Sequence, residues 1–385
     1  MRGALVDSPI VRLLLDVSAV PARPAGAGVY TVELAGGLAG HDELDLHLLA
    51  RRDDAARWAD LAPKAAIHPE VPESRPARIV WEQTKGPELA ARLAIEVWHG
   101  PHYTMPSRLR VPAVVTVHDL TFFDHPEWHE RSKVAFFRPM LQVSVKRARA
   151  LIAVSEHTAA RLRGRLNPRA PVIVAPHGVD HERFRLVARG DAGDLAALHR
   201  LGIHPPYLAF AGTLEPRKDV PTLIAAFARI APVRPDLRLV LAGRDGWGAV
   251  AVRDAAAASG VTTRILRPGW FPGEVLPALY RQSEAVAYPS LEEGFGLPAL
   301  EALACGAALV TTTGSAMAEV VGDAAVLVPR ADPGALAAAL TRVLDDPELA
   351  NRLRNAGPVQ AAPYTWEASI DRHLAAYRLA AGIPA

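Results

Sequence analysis

One stretch decides how this chain is organised: Tyr288-Pro-Ser-Leu-Glu-Glu-Gly-Phe-Gly-Leu-Pro-Ala-Leu-Glu-Ala-Leu-Ala-Cys-Gly306. The short apolar run at 284–288 is typical of a buried parallel strand, and strong helix formers follow from Pro298. A turn that contains Gly294 and Gly296 joins the two elements. A helix that begins directly after such a turn presents unpaired backbone N–H groups and the positive end of its dipole. The sequence therefore predicts an anion site here.

Two carboxylates bracket this turn. Glu293 precedes the glycines, and Glu301 follows it eight residues later, about two turns into the predicted helix. One carboxylate can therefore reach each end of a phosphate-containing ligand held by the turn. The alternative is structural, because glycine turns at strand–helix junctions are common and a glutamate near a helix start interacts favourably with the dipole.

Length and composition indicate a globular protein with two domains. The chain has 385 residues, of which 50% are hydrophobic, and a net charge of +2 at pH 7. Cys305 is the only cysteine, which excludes a disulfide within one chain and fits a reducing compartment. Charged residues such as Arg12 and Asp16 interrupt residues 1–20, so we expect no signal peptide there. No stretch is typical of a membrane span, and we predict a cytoplasmic location.

Positive charge is concentrated in the first half of the chain. Up to Gly190 there is an excess of five positive charges, and the remainder has an excess of three negative charges. This imbalance indicates an anionic partner for the first half, although we expect no nucleic acid. A basic helix predicted over 130–149 contains Phe136 and Phe137. It is either an amphipathic helix packed on its own domain or a helix that lies on the membrane surface.

Short apolar strands alternate with helices in the first half, which predicts a parallel sheet covered on both faces. The predicted strands span 11–17, 44–50, 95–98, 113–117, 151–154 and 172–175. Ligands bind such sheets beyond the carboxyl ends of the strands. His118 and Asp119 follow one strand end, where a polar pair favours a functional role over a purely structural one. Gly26 and Gly28 follow the first strand and form either a phosphate loop or a plain turn.

The second half begins after a segment rich in glycine, proline and charge, 189–206, which we interpret as a linker. A strand at 207–213 leads into Arg217 and Lys218 at a predicted helix start. The helix dipole disfavours cations at that position, so a bound anion explains them better than solvation does. Arginine can hold a diphosphate with its forked donors, and lysine can hold it as a point charge.

Several of these motifs resemble those of retaining glycosyltransferases of family 4. The resemblance rests on Glu293-x7-Glu301 around Gly-Phe-Gly-Leu-Pro, on the Gly-Thr-Leu-Glu-Pro-Arg-Lys-Asp string at 212–219 and on His118-Asp119. The segment at 176–180 also matches, except that His177 replaces an asparagine. The resemblance runs from about residue 12 to residue 380.

The resemblance implies an α/β protein with the GT-B fold, in which two Rossmann-like, doubly wound parallel-sheet domains face each other across a cleft. We predict an N-terminal acceptor domain over 1–188, completed by a C-terminal helix over 366–385. The donor domain is predicted over 200–365.

The resemblance also implies roles for single residues. Glu301 would hold the ribose hydroxyls, Glu293 the donor sugar, and Arg217 with Lys218 the diphosphate, while His118 would lie by the sugar. The remaining predicted donor-binding residues are Gly26, Gly28, Thr213, Arg244, Phe295, Gly296 and Leu297.

The predicted reaction transfers a hexose from a nucleotide-diphosphate sugar to a hydroxyl of a glycan or lipid-linked acceptor with retention of configuration. The chain has no Asp-x-Asp, the pair that holds a metal in glycosyltransferases of the other main fold, so we predict metal independence and no cofactor. The motifs most resemble mannosyltransferases that use GDP-mannose. Two alternatives stay open: a sugar-nucleotide epimerase of the same fold, and a nucleotide-sugar-binding protein without turnover.

Overall fold

The computed structural model describes residues 11–383. Residues 1–10, 384 and 385 lie outside the described residues. The expectation of no signal peptide concerned residues 1–20, so half of that segment is not described. The described chain forms two compact units, which we call unit 1 (residues 11–178 and 366–383) and unit 2 (residues 179–365). Within residues 11–383, no helix has the length and apolar character needed to cross a membrane.

Unit 1 is built on a parallel sheet of seven strands covered by helices. The strands are β1 (Val11–Asp16), β2 (Leu44–Arg51), β3 (Ala66–Val71), β4 (Val97–Gly100), β5 (Ala113–Val117), β6 (Ala150–Ala153) and β7 (Val172–Val174). The helices are α1 (Ala27–Leu38), α2 (Ala55–Leu61), α3 (Arg75–Thr84), α4 (Gly86–Arg92), α5 (Thr121–Asp124), α6 (Arg131–Arg147) and α7 (Glu156–Leu166). The strand order is β3-β2-β1-β4-β5-β6-β7, so the direction of winding reverses between β1 and β4. Ligands bind such sheets at this reversal.

Unit 2 repeats this plan with six parallel strands. The strands are β8 (Tyr207–Ala211), β9 (Arg238–Ala242), β10 (Ile265–Gly269), β11 (Ala285–Tyr288), β12 (Leu309–Thr312) and β13 (Ala325–Val328). The helices are α8 (Ala192–His199), α9 (Val220–Ile230), α10 (Ala249–Ala258), α11 (Leu276–Gln282), α12 (Leu297–Ala304), α13 (Ala316–Val321), α14 (Pro333–Asp345) and α15 (Pro347–Ala361). The order β10-β9-β8-β11-β12-β13 makes β8 and β11 neighbours, and their carboxyl ends meet at the winding reversal.

The last helix, α16 (Trp366–Ala381), packs on the sheet of unit 1. Its side chains Ile370, Leu374 and Tyr377 join a buried cluster with Leu13 of β1 and Leu34 of α1. Removing this apolar surface from water stabilises the helix on the sheet by about 25 cal/mol per Å².

Two Rossmann-like parallel-sheet units confirm the predicted fold class. The edge strands β3 and β13 were not predicted. β3 contains Pro69 and is largely half-buried, because an edge strand tolerates proline and water on its outer side. The division between units falls after residue 178, rather than in the predicted linker at 189–206.

The linker interpretation was wrong, because that segment contains a helix anchored in unit 2. The Asp191 side chain caps α8 by accepting from the backbone N–H of Asp194 at 2.9 Å. Asp194 in turn binds Arg281 of α11, with a 2.5 Å contact to one carboxylate oxygen. A capped helix with a buried ion pair belongs to the packed unit.

Candidate active site

The turns after β8 and β11 lie side by side in unit 2, because the two strands are neighbours in the sheet. The turn after β8 ends in a short 3₁₀ segment, Pro216–Lys218, and the turn after β11 spans 289–296. The backbone N–H of Leu291 donates to the carbonyl oxygen of Arg217 at 2.7 Å and joins the two turns. Residues 75 positions apart therefore share one site.

Glu293 lies at the centre of this site and is paired with two cations. Arg217 Nη1 donates to Glu293 Oε2 at 2.5 Å, and Lys218 Nζ donates to Glu293 Oε1. Ser290 Oγ donates to the same Oε1 at 3.0 Å. Both Lys218 and Glu293 are 6% exposed, so water contributes little to this pairing.

The charges at this site depend on each other. Burial alone would raise the pKa of the Glu293 carboxyl, but Arg217 and Lys218 outweigh it and lower that pKa to about 2. Burial lowers the pKa of the Lys218 ammonium, and the Glu293 carboxylate opposes that shift. Arg217 Nε also donates to Glu215 Oε2 at 3.0 Å, so both cations are held in place by carboxylates. A ligand phosphate would compete with these carboxylates for the same donors.

Tyr288 and Ser290 complete the site, and sequence reasoning did not assign them a role. Lys218 Nζ donates to the Tyr288 hydroxyl at 3.0 Å and lies 4.8 Å from the centroid of that ring. The sequence signal for them was their position at the end of an apolar strand and just after it. Such positions lie at the carboxyl edge of the sheet, where ligands bind.

Gly296 is required at the start of α12 for two reasons. Its φ is 103°, a left-handed value that favours glycine, and an added Cβ would lie 2.6 Å from Met317 Cγ. Phe295 and Leu297 on either side are buried, and Phe295 packs edge-on against Tyr364 at 5.9 Å. The predicted N–H donors of 295–297 thus belong to a tightly packed turn.

Glu301 lies within α12, half-buried. Its Oε2 accepts from the Tyr280 hydroxyl at 3.3 Å. Burial raises the pKa of the Glu301 carboxyl to about 7, and the charge of Arg183 opposes that shift. The two glutamates of the motif therefore differ: two close cations lower the pKa of Glu293, whereas burial raises that of Glu301.

Thr213 and Arg244 follow β8 and β9, which are also neighbours in the sheet. The backbone N–H of Leu214 donates to the Arg244 carbonyl at 3.1 Å, and the Arg244 residue is exposed. The structure thus places both predicted residues at the carboxyl edge of unit 2.

His118 lies at the end of β5 in unit 1 and is 8% exposed. Its Nε2 donates to the Pro101 carbonyl at 2.8 Å. Burial lowers the pKa of the imidazole, with the Pro101 carbonyl and Asp119 acting against that shift. Asp119 does not form a hydrogen-bonded pair with His118; its Oδ1 accepts from the N–H and hydroxyl of Thr121 at 3.0 and 2.7 Å. Asp119 therefore holds the turn that leads into α5.

A chain of hydrogen bonds runs through the interior behind His118. His373 Nδ1 donates to the Ser369 carbonyl at 2.7 Å, which leaves its Nε2 to accept from the Tyr30 hydroxyl at 2.8 Å. The Tyr30 oxygen then accepts from Thr116 Oγ1 at 2.8 Å. This part of the chain links α16 and α1 to β5.

The chain continues from Thr116 to a second histidine. Thr116 Oγ1 accepts from His99 Nε2 at 2.8 Å, and His99 Nδ1 accepts from the Tyr377 hydroxyl at 2.8 Å. Burial lowers the pKa of both imidazoles, and in the neutral form each donates with one nitrogen and accepts with the other. His177, the residue that replaces asparagine in the motif, packs against Tyr30 with ring centroids 4.9 Å apart.

The two predicted loop glycines precede and begin α1 in unit 1. Gly26 has φ of 52°, and a Cβ added there would have no atom within 4 Å, whereas a Cβ on Gly28 would meet Pro24 Cβ at 3.2 Å. The structure thus brings Arg217, Lys218 and Glu293 together in unit 2 and places Gly26 and Gly28 in unit 1. No group of three or more His, Cys, Asp or Glu side chains among residues 11–383 is arranged to hold a metal ion.

Two family models cover most of the chain. The model described as glycosyl transferases group 1 matches residues 199–360, and the model described as glycosyltransferase family 4 matches residues 24–183. An O-antigen chain mannosyltransferase B from Escherichia coli is 30% identical over 292 residues, which cover 74% of each chain. A D-inositol 3-phosphate glycosyltransferase from Segniliparus rotundus is 34% identical over 54% of this chain and 46% of its own length.

Solved structures agree on the fold. A sucrose-phosphate synthase from Thermosynechococcus elongatus has a TM-score of 0.78 at 21% identity and covers 96% of this chain and 98% of its own. The Anabaena protein HepE, solved with UDP and glucose, has a TM-score of 0.75 at 16% identity. The match covers 95% of this chain and 98% of the HepE chain. The family-model matches, the E. coli relative and the two parallel-sheet units agree, and the chain belongs to the family 4 glycosyltransferases with the GT-B fold.

Proposed function

We propose that this glycosyltransferase moves a hexose, with mannose favoured, from a nucleotide-diphosphate sugar to a hydroxyl acceptor with retention of configuration. GDP-mannose is the favoured donor, and no metal takes part. The observation that carries the proposal is the buried cluster in which Arg217 and Lys218 surround Glu293 at the winding reversal of unit 2. Two preformed cations at this position suit a diphosphate leaving group.

In the proposed reaction the acceptor oxygen attacks the anomeric carbon on the face from which the diphosphate departs. The bond between that carbon and the phosphate oxygen breaks, and the leaving phosphate oxygen takes the acceptor proton. Arg217 and Lys218 stabilise the negative charge that develops on the diphosphate, which preformed cations do without reorganisation. Glu293 orients the sugar, Glu301 holds the ribose hydroxyls, and neutral His118 contacts the sugar.

Mannose is supported by one relative and by the motifs. The E. coli relative that covers 74% of each chain is named a mannosyltransferase. The acceptor is proposed only as a glycan or lipid-linked hydroxyl, since other relatives are named for D-inositol 3-phosphate.

We also propose peripheral contact of unit 1 with anionic membrane from the cytoplasmic side. Phe137 of α6 stacks on Phe122 with centroids 4.8 Å apart, so that aromatic ring packs on its own unit. Lys146 and Arg147 at the end of α6 are exposed. Contact would therefore be electrostatic, with about 1 kcal/mol per cation near the surface. Binding to anionic vesicles that high salt and Lys146→Glu with Arg147→Glu abolish would support it, and absence of binding at low salt would exclude it.

A panel of nucleotides and nucleotide sugars tests the function. We expect GDP and GDP-mannose to raise the melting temperature, because a ligand that binds only the folded state stabilises it. Proton NMR of the product formed from GDP-mannose should show an α-linked mannoside. Conversion of UDP-GlcNAc to its 2-epimer without acceptor would favour the epimerase. Nucleotide binding without transfer to any acceptor would favour a binding protein.

A further inference from the structure

A second ion pair, formed by a buried glutamate and a half-buried arginine, lies directly beside the Arg217–Glu293–Lys218 site. Glu292, the neighbour of Glu293 in the chain, is 4% exposed. Its Oε2 accepts from Arg330 Nη1 at 3.2 Å. Arg330 comes two residues after the end of β13, so this contact joins the turn after β11 to the far edge of the sheet.

Arg330 also binds the turn that lies between these two elements. Its Nε donates to the Thr313 carbonyl at 3.0 Å, and its Nη2 donates to the Gly314 carbonyl. Gly314 has φ of 81°, and an added Cβ would overlap Arg330 Nη2. One guanidinium therefore connects three segments, the turns after β11 and β12 and the end of β13.

The same turn after β12 also contacts the main chain of Glu293. The backbone N–H of Ala316, at the start of α13, donates to the Glu293 carbonyl at 3.3 Å. Thr312 Oγ1 donates to the Ser290 carbonyl at 2.5 Å. The backbone at Glu293 is thus held by the hydrogen bond to its own carbonyl and by the Arg330 ion pair on the preceding residue, Glu292.

From this arrangement we infer that Arg330 and Glu292 are positioning residues that set the place of the Glu293 carboxylate between its two cations. The reason is electrostatic: when a diphosphate binds Arg217 and Lys218, it competes with Glu293 for both of them. While Arg217 and Lys218 are shared with the diphosphate, the Glu293 carboxylate can turn to the donor sugar only if its backbone stays in place. The Arg330–Glu292 pair is a tether in addition to the contact that Arg217 Nη1 makes with the Glu292 carbonyl at 3.4 Å.

This inference rests on the proposed function, and the test separates the two. Arg330→Ala and Glu292→Gln are expected to lower kcat for transfer from GDP-mannose about tenfold or more, since a small misplacement near the chemistry is costly. The Kd for GDP should change less than about threefold, because Arg217, Lys218 and Glu301 remain. Arg330→Lys should restore part of kcat. The double variant should be no worse than the poorer single variant, as for two residues that act as one unit.

Arg264→Ala is the matched control in the same unit. Arg264 donates to the backbone carbonyls of Leu237 at 3.0 Å and Ala231 at 2.8 Å and lies on the β9–β10 side of the sheet. We expect it to lower the melting temperature while kcat stays unchanged. If Arg330→Ala lowers stability but leaves kcat as the control does, or weakens GDP binding as much as it lowers kcat, the inference is wrong. If wild-type protein transfers no sugar at all, the proposed function fails instead.

Discussion

Two buried polar networks, the Glu293 cluster of unit 2 and the histidine chain of unit 1, differ in charge. In unit 2 the buried groups are charged, with Glu293 between Arg217 and Lys218. In unit 1 the hydrogen-bonded chain through His99 and His373 is neutral, and Arg51 at the end of β2 forms a separate buried ion pair with Asp54. A buried lysine and carboxylate keep their charges only with partners, whereas a buried imidazole can give up its proton.

Because of this difference, the two networks can interact with a ligand in different ways. The cations of unit 2 are paired with carboxylates that a phosphate can replace. His99 and His373 have both ring nitrogens engaged within unit 1 and mainly hold α16 on the sheet. Removing charge should therefore affect the Glu293 cluster most, and adding charge should affect the histidine chain most.

The largest expected effect is loss of a cation in unit 2. Lys218→Ala and Arg217→Ala should each lower turnover about 10²-fold or more, as the loss of a preformed electrostatic contact does. Steady-state kcat with GDP-mannose measures this. Arg253→Ala, at a position with 52% side-chain exposure, is the control and should leave kcat unchanged. Near-normal turnover in both site variants would remove the proposed role.

Acid should destabilise unit 1 through its histidines. Burial lowers the pKa of His373 from 6.5 to about 4, with the Ser369 carbonyl acting against that shift. The unfolded chain therefore binds the proton more readily, and stability is lost as pH falls from about 6.5 towards 4. At about 1.4 kcal/mol per pKa unit, full loss is about 3 kcal/mol.

Denaturant unfolding of wild type and His373→Gln at about pH 7.5 and about pH 5 measures this contribution. Glu82, whose pKa burial raises to about 8, acts in the opposite direction, so the readout is the difference between the two proteins. We expect wild type to lose more stability on acidification than the variant. His204→Gln, at an exposed position, should behave as wild type. Equal losses in wild type and His373→Gln would show that His373 is already protonated or exposed.

A smaller effect is expected from Glu301. Burial raises the pKa of its carboxyl to about 7, so its charge changes near neutral pH. Its carboxylate accepts hydrogen bonds from ribose hydroxyls in our proposal, and protonation weakens that acceptor. The KM for the donor should therefore rise about tenfold between roughly pH 8 and pH 6. Glu301→Gln should have a higher KM that no longer depends on pH in this range. A pH dependence that persists in the variant would assign it to another group.

No effect is expected from metal removal. Transfer should proceed at the same rate after treatment with EDTA, because Arg217 and Lys218 neutralise the diphosphate in our proposal. Loss of transfer with EDTA, and its recovery with Mg²⁺ or Mn²⁺, would require a different way of holding the leaving group.

Much of the fold and part of the site could be predicted from the sequence. The alternation of apolar strands and helices, and the position of α12 after its glycine turn, depend on local patterns. β3 and α8 were missed because an edge strand with Pro69 and a helix in a polar segment have weak local signals. The pairing of Arg330 with Glu292, and of Tyr377 with His99, depends on long-range packing that one sequence does not reveal.

In our proposal Arg217 and Lys218 hold the diphosphate, and Glu293 occupies them without it. Calorimetric titration of GDP onto wild type, Lys218→Met and Glu293→Gln tests this most directly. We predict that Lys218→Met binds GDP about tenfold or more weakly. Glu293→Gln should bind GDP at least as tightly as wild type while its transfer activity falls, because a competing carboxylate is gone. Unchanged GDP affinity in Lys218→Met, or weaker GDP binding in Glu293→Gln, would contradict the claim.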